Sequence, residues 1–347
     1  MTRKGDPVRE REERFAARRD GVTRPVTLGR DAVMRVLRVP PELAGMRLDR
    51  FVQTQLRATS RTRTQRIVEL GAFRPDGAAL KKNHRVRSDE RIALWREAWD
   101  ETFTDVELPV VYEDDALIAI NKPPYVAVHP TARHNRSTVT SLLAVQRPKD
   151  RLTLLHRIDR ETSGVLLLAR TRAADRAVKA QFEERKDVLK RYLGFTWGKP
   201  AWQRFTCELP LELDPTNGTR VKMRIAAPGG GLEAGTTFEL LETRRQKAQD
   251  YSLFRCTLHT GRQHQIRLHL SALGLPIVGD KLYGPDEALH RRAADNTLSP
   301  EDLAKLELGR HALHAAELEL DHPTDGRRIR IEAPLLPDMA EFWDGLR

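Results

Sequence analysis

His156-Arg157-Ile158-Asp159-Arg160-Glu161-Thr162-Ser163-Gly164 is a charged loop set between two apolar runs. Leu152, Leu154 and Leu155 precede it, and Val165-Leu166-Leu167-Leu168-Ala169 follows. The second run has the length and flanking signals of a buried strand, and Gly164 punctuates its start. Unpaired charge cannot follow a strand into the interior, so the loop is expected at a sheet edge or a cleft mouth. On local pattern alone, the plainest role for Asp159 is a salt bridge to Arg157 or Arg160, and a functional acid is the alternative.

Downstream, Thr171 has the chemistry of an N-cap for a helix that carries Ala174, Val178 and Phe182 on one stripe. Residues 188–198 read as a strand with Leu193, Phe195 and Trp197 on one face and Tyr192, Gly194 and Thr196 on the other. Phe205 to Met223 and Thr236 to Leu241 supply further short strands. In Thr260-Gly261-Arg262-Gln263-His264-Gln265-Ile266-Arg267-Leu268-His269-Leu270, a helix starting at His264 places His264, Arg267 and Ser271 on one face. Ile266, Leu270 and Leu273 then form the core side, so Arg267 points away from the core, where an anion could meet it. His259, His264 and His269 lack metal-ligand spacing and have no acid among them. Residues 287–309 read as a helical insertion. A closing hairpin runs through Leu313 to Leu320, turns at His322-Pro323-Thr324-Asp325-Gly326 and returns through Arg328 to Ile331. Upstream, Ala116 to Ile120 is a short strand ended by Asn121-Lys122-Pro123-Pro124, and Ser137 to Val145 is helical.

The chain has 347 residues, enough for two or three domains. Its 60 Lys and Arg against 49 acids leave a net charge of +11, which suits a polyanionic partner. The two cysteines, Cys207 and Cys256, form no Cys-x-x-Cys pair, against a disulfide framework or a zinc ribbon. No apolar run approaches the ~20 residues of a membrane span, and the first 30 residues hold no signal-peptide core. A soluble cytoplasmic monomer is expected. Pro228-Gly229-Gly230-Gly231 lacks the strand–turn–helix frame of a nucleotide cradle.

Residues 1–30 hold nine Lys or Arg and five acids and read as a disordered basic arm. Residues 31–94 read as a small module, with Leu48, Phe51, Val52 and Leu56 at helical spacing. Pro75-Asp76-Gly77 is a turn signal, and Arg85 to Leu94 alternates like a strand. Within 47–94 there are twelve Lys or Arg and five acids, an excess that favours phosphate contact. Residues 95–108 read as a linker and 109–347 as a second domain.

Arg47-Leu48-Asp49-Arg50-Phe51, Ser60-Arg61-Thr62-Arg63 and Lys81-Lys82 resemble the small S-four-type RNA-binding module. The resemblance implies RNA contact by Arg61, Arg63, Arg66, Lys81 and Lys82. The loop from His156 to Gly164 resembles the signature loop of the RluA-like family of RNA pseudouridine synthases. Other stretches match in family order: Asn121-Lys122-Pro123 with Val128-His129-Pro130, Lys190-Arg191-Tyr192-Leu193-Gly194, Thr260 to Leu270, Pro276-Ile277-Val278-Gly279-Asp280 with Tyr283-Gly284, and Leu313-His314-Ala315. Tyr125 departs from the pattern, which has glycine after the Asn-Lys-Pro turn.

The resemblance implies an α+β fold: a large, mostly antiparallel or mixed sheet with flanking helices and an RNA cleft. It makes Asp159 the catalytic residue. It assigns Arg157 to the space that a flipped nucleotide vacates, Tyr192 to stacking on the target base and Arg267 to pairing with Asp159; His156 joins the substrate-binding set. No metal or cofactor is implied. The expected reaction is isomerisation of uridine to pseudouridine in structured RNA, in particular ribosomal RNA of the large subunit. Base flipping is its first step. A non-catalytic RNA-binding or ribosome-assembly protein on the same fold is the competing reading. Paired-carboxylate glycoside hydrolysis would need a second acid at a fixed distance, and the zinc signature of nucleobase deaminases is absent.

Overall fold

The computed structural model describes residues 22–29, 32–56, 61–97, 106–129, 137–184, 188–215, 222–286, 288–294 and 297–347. The chain divides into two compact units, one of residues 1–104 with 130–137 and the other of residues 105–129 with 138–347.

In the first unit, β1 (Val33–Arg38), β2 (Ala72–Phe73) and β3 (Arg91–Arg96) form an antiparallel sheet in the order β1-β3-β2. Helices Leu48–Gln55 and Arg61–Gly71 accompany it. Leu48, Phe51 and Val52 bury the expected stripe, packing with Val68, Ile92 and Leu94. The strand expected over Arg85–Leu94 begins only at Arg91. Asp89 takes φ +62, and Glu90 folds back to accept from the Arg87 N–H at 2.8 Å, so a turn occupies the first half. The strand then continues past Leu94 into the expected linker. Trp95 is buried in a cluster with Ala93, Val22 and Leu28. Val22 and Leu28 are therefore packed, although they fall in the stretch expected to be a free arm. The rest of that arm that precedes Val22, and linker residues 98–105, lie outside the described residues.

The second unit is built on a mixed sheet. Its strands are β4 (Val110–Glu113), β5 (Leu117–Lys122), β6 (Thr153–Leu154), β7 (Ser163–Ala169), β8 (Leu189–Trp197), β9 (Arg204–Cys207), β12 (Thr236–Gln246), β13 (Gln249–Leu258), β14 (Leu313–Asp321) and β15 (Arg328–Glu332), with β10 (Leu211–Leu213) and β11 (Met223–Ile225) as a separate pair. The main path is β4-β5-β7-β14-β8-β13-β12-β9, with β6 on β7 and β15 on β14. The β7–β14 pair is parallel.

The two-residue strand period sorts the core. Leu117, Ala119, Val165 and Leu167 face one cluster with Ala174 and Val178 of the helix Arg172–Glu184. Ile118, Ile120, Leu166 and Leu168 face the other, with Val139, Leu142 and Leu143 of the helix Val139–Gln146. Helices thus flank the sheet, giving the expected α+β class. Thr171 caps its helix as expected, accepting from the Ala174 N–H at 3.1 Å. The strand expected over Thr236–Leu241 is longer and has a partner the sequence hid. A register shift between Leu240 and Glu242 carries the pairing through Glu242 to Gln246, a charged stretch, to a turn at Lys247, φ +55.

Candidate active site

The signature loop enters β7, a strand paired on both sides, rather than a sheet edge. Gly164 makes that entry possible. It takes φ +109, and a Cβ there would come within 2.2 Å of the Ala315 carbonyl, so only glycine lets β7 start in parallel register against β14. Two side-chain bonds join the same elements. Thr162 Oγ1 meets His311 Nε2 at 2.8 Å, and Ser163 Oγ meets His314 Nδ1 at 2.9 Å.

Buried cations hold the loop backbone. Lys122, fully buried, donates to the carbonyls of Pro123 (2.7 Å), Val126 (3.0 Å) and Arg160 (3.1 Å). Burial, then the nearby Arg310, draws its pKa down to about 7. Three carbonyl acceptors suit an ammonium, with three N–H bonds, better than an amine with two. Arg310, also fully buried, donates to Asp338 at 2.6 and 3.0 Å and to the Glu161 carbonyl at 3.3 Å. Lys281 clamps the Glu161 carboxylate at 2.9 and 3.0 Å and the Gly309 carbonyl at 2.7 Å.

Asp159 does not pair with Arg157 or Arg160, so the plainest local reading fails. Its Oδ2 accepts from Arg267 Nη1 at 2.9 Å, across 108 residues of sequence. Its Oδ1 has no hydrogen-bond partner among the described residues, and the side chain is 26% exposed. Arg267 is held from behind by Asp280, which accepts from its Nε at 2.7 Å and Nη2 at 2.9 Å. Asp280 is fully buried and also accepts from the backbone N–H groups of Leu282 (2.8 Å) and Tyr283 (3.1 Å).

The helix Gln265–Ala272 presents Arg267 on the face that helical spacing gives it. His264, Arg267 and Ser271 all meet Tyr283: through its hydroxyl at 3.0 Å, its ring at 5.2 Å and its carbonyl at 3.0 Å. As expected, Arg267 points away from the apolar side of its helix and meets anions there, Asp159 and Asp280. It is 7% exposed, because the segment carrying Asp280 and Tyr283 covers that side. Sequence reasoning gave Asp280 no role. The available signal was a lone acid after the apolar run Pro276-Ile277-Val278-Gly279, since a buried carboxylate requires a partner.

Burial works against the charge on Asp159. The fields of His264, Arg267 and His311, with the Arg267 hydrogen bond, outweigh it and bring the carboxyl to about 2. Burial itself drops His264 to about 4 and His311 to about 3, so both are neutral near pH 7 and Arg267 is the cation that acts there. Tyr283 accepts from the Met223 N–H at 2.8 Å and shares a hydrogen bond with His264 Nδ1 at 3.0 Å. His264 Nε2 lies 3.9 Å from Asp159 Oδ2. One arginine between two carboxylates leaves the group net anionic, with one Asp159 oxygen free to act.

Tyr192 lies on β8, 9% exposed. Burial first, then the Asp159 charge, raises its hydroxyl pKa, and that hydroxyl has no hydrogen-bond partner among the described residues. Both faces of β8 are covered, so its period does not separate an open side from a core side. Arg157 is exposed, with no hydrogen-bond or ion-pair partner among the described residues. His156 acts structurally. Its Nε2 accepts from the Leu167 N–H at 3.0 Å, and its ring packs edge-on to Phe182. In the first unit, Arg61, Arg63, Arg66, Lys81 and Lys82 are exposed, and Lys82 pairs with Glu69 at 2.7 Å.

The family model described as RNA pseudouridylate synthase matches residues 116–272. An uncharacterized RNA pseudouridine synthase of Bacillus subtilis is 31% identical over 315 residues, covering 87% of this chain and 94% of its own. Ribosomal large subunit pseudouridine synthase D of Xanthomonas campestris is 32% identical over 324 residues, covering 91% of this chain and 94% of its own. The structure of human RNA pseudouridylate synthase domain containing 1 matches with a TM-score of 0.55 at 27% identity, covering 70% of this chain and 90% of that one.

Proposed function

The chain belongs to the RluA-like family of RNA pseudouridine synthases, and on that premise we propose that Asp159 is its catalytic carboxylate and ribosomal RNA of the large subunit its substrate. The observation that carries the first part is the asymmetry of Asp159. One oxygen is pinned by a buried arginine, and the other has no partner in a side chain that keeps some exposure. A carboxylate oxygen held in place through its twin, yet open to the cleft, is what a reactive acid needs, and Arg267 supplies that hold.

The reaction breaks the bond between the sugar C1′ and the base N1, turns the base, and forms a bond from C1′ to C5. The C5 proton is lost and N1 gains one, so the change is an isomerisation. A carboxylate that attacks the sugar, attacks the base or removes a sugar proton must be ionised, and Arg267 keeps Asp159 so. Arg157, exposed two residues before Asp159, fills the space of the flipped nucleotide, and Tyr192 supplies the ring against which the detached base turns. The basic module of residues 31–94 adds phosphate contacts through Arg61, Arg63, Arg66, Lys81 and Lys82. The ribosomal substrate of the Xanthomonas relative supports ribosomal over transfer RNA, and the place of action is the cytoplasm. The reading is tested by mapping pseudouridine across ribosomal RNA in cells with and without the protein. At least one large-subunit position loses its modification and regains it on complementation; an unchanged map sinks the substrate assignment.

A further inference from the structure

Tyr125 is strained and half exposed at once. It takes φ +66 in the turn after β5, a conformation that glycine adopts without steric cost and tyrosine does not. Its side chain is 47% exposed, and its hydroxyl has no hydrogen-bond partner among the described residues. The hydroxyl lies beside Gly309, where a Cβ would come within 2.9 Å of it. The Arg160 guanidinium sits 5.8 Å from the ring centroid. The Lys122 ammonium fixes this arrangement, because the carbonyls it binds belong to Pro123 and Val126, on either side of Tyr125, and to Arg160, next to Asp159. Burial of apolar surface does not explain a ring held in a costly conformation with half its surface open. Strain of this kind persists where the surroundings impose it, and it clusters at ligand clamps.

We propose that Tyr125 and Arg160 form a second nucleobase subsite beside the target uridine. A neighbouring base of the RNA strand stacks on the open face of Tyr125, and Arg160, itself 40% exposed, meets the adjoining phosphate. The inference rests on the reading of Asp159 as the reactive carboxylate, which brings the target uridine to this loop. Stacking on one aromatic side chain is sequence-tolerant, so the subsite strengthens binding of the strand and fixes its register without selecting a base.

Tyr125→Gly removes the ring and relieves the strain, so this variant folds with a melting temperature no lower than wild type. Tyr125→Leu keeps apolar bulk without a π-face. The probe is an RNA stem-loop that the wild-type enzyme modifies, synthesised with an abasic ribose at each position flanking the target in turn. Dissociation constants are measured in an Asp159→Asn background, and kcat and KM with Asp159 intact. Both Tyr125 variants should weaken binding about 5- to 150-fold, the range equivalent to about 1–3 kcal/mol for one stacked base. KM should rise more than kcat falls. At one flanking position, the abasic substitution should weaken binding when Tyr125 is present. It should cost nothing further in Tyr125→Gly, which has no ring to stack on. Unchanged affinity in Tyr125→Gly, full affinity in Tyr125→Leu, or additive losses at every flanking position would each overturn the subsite. Turnover retained by Asp159→Asn would remove the reading of the aspartate, while the Tyr125 coupling would still decide the subsite.

Discussion

Asp280→Asn changes one oxygen to an amide at nearly constant volume, yet it dismantles the support of Arg267. Asp280 accepts four hydrogen bonds, two from Arg267 and two from the backbone of Leu282 and Tyr283. An Asn that keeps its oxygen on the backbone N–H groups also keeps the Arg267 Nη2 bond on that oxygen, but it turns its own N–H₂ toward Arg267 Nε, donor against donor. Arg267 is then a buried cation with Asp159 as its remaining carboxylate. Breaking a buried pair from one side costs about 3–5 kcal/mol. For a unit of this size, each kcal/mol shifts the melting temperature by roughly 2–4 °C, so a fall of about 6–20 °C is expected in thermal unfolding. Turnover should fall through misplacement of Asp159 rather than through its protonation, because Arg267 still faces it, so the acid side of the pH–rate profile should not move upward. Asp280→Asn combined with Arg267→Met removes both charges and should recover part of the lost stability. A single variant that melts within about 2 °C of wild type, at most about 1 kcal/mol on this scale, and turns over normally would refute the claim that Asp280 positions Arg267.

Acid should unfold the protein before it titrates Asp159. His156, His264, His311 and His314 are drawn by burial to about 3, 4, 3 and 4, whereas unfolded histidine titrates near 6.5, so the unfolded state binds more protons between these values. Stability therefore falls as pH drops below about 6.5, by about 2 kcal/mol per histidine at pH 5; a melting temperature flat from pH 7 to 5 would contradict this. Tyr192→Phe should leave RNA affinity within about twofold, because the ring and not the hydroxyl acts; a tenfold loss in a binding titration would move the role to the hydroxyl. Arg61, Arg63 and Arg66 changed together to Gln should flatten the salt dependence of binding to long structured RNA by about 2–3 in slope. An unchanged slope would make them a solvated face.

Much of the second unit was legible because its central strands are short apolar runs bounded by turn signals. Leu117 to Ile120 and Val165 to Leu168 read as strands by length and flanks, and Thr171 marked its helix. The long β12–β13 hairpin was not legible, because Glu242 to Gln246 carries strand geometry under loop composition. At the site, helical spacing gave Arg267 its correct neighbours, His264 and Ser271. It could not give Asp280, Lys281 or Arg310, since partnerships across a fold leave no local period. Tyr125 stood out in the sequence only as a departure from a family pattern; its φ of +66 is a conformation that glycine adopts without cost. The Asp159 loop was the reverse case. Its local arginines suggested internal pairing, and a partner 108 residues away took the acid instead.

Asp159→Asn is the sharpest probe of the catalytic assignment. Arg267 keeps both of its bonds to Asp280, so the variant should fold and bind RNA within a few-fold of wild type. The measurement is pseudouridine formed per enzyme in a single-turnover reaction on the RNA that the wild type modifies. The rate should fall by more than roughly a thousandfold, the scale of losing an essential reactive group. A folded Asn variant whose rate stays within about tenfold of wild type, a barrier change of only about 1.4 kcal/mol, would contradict the assignment.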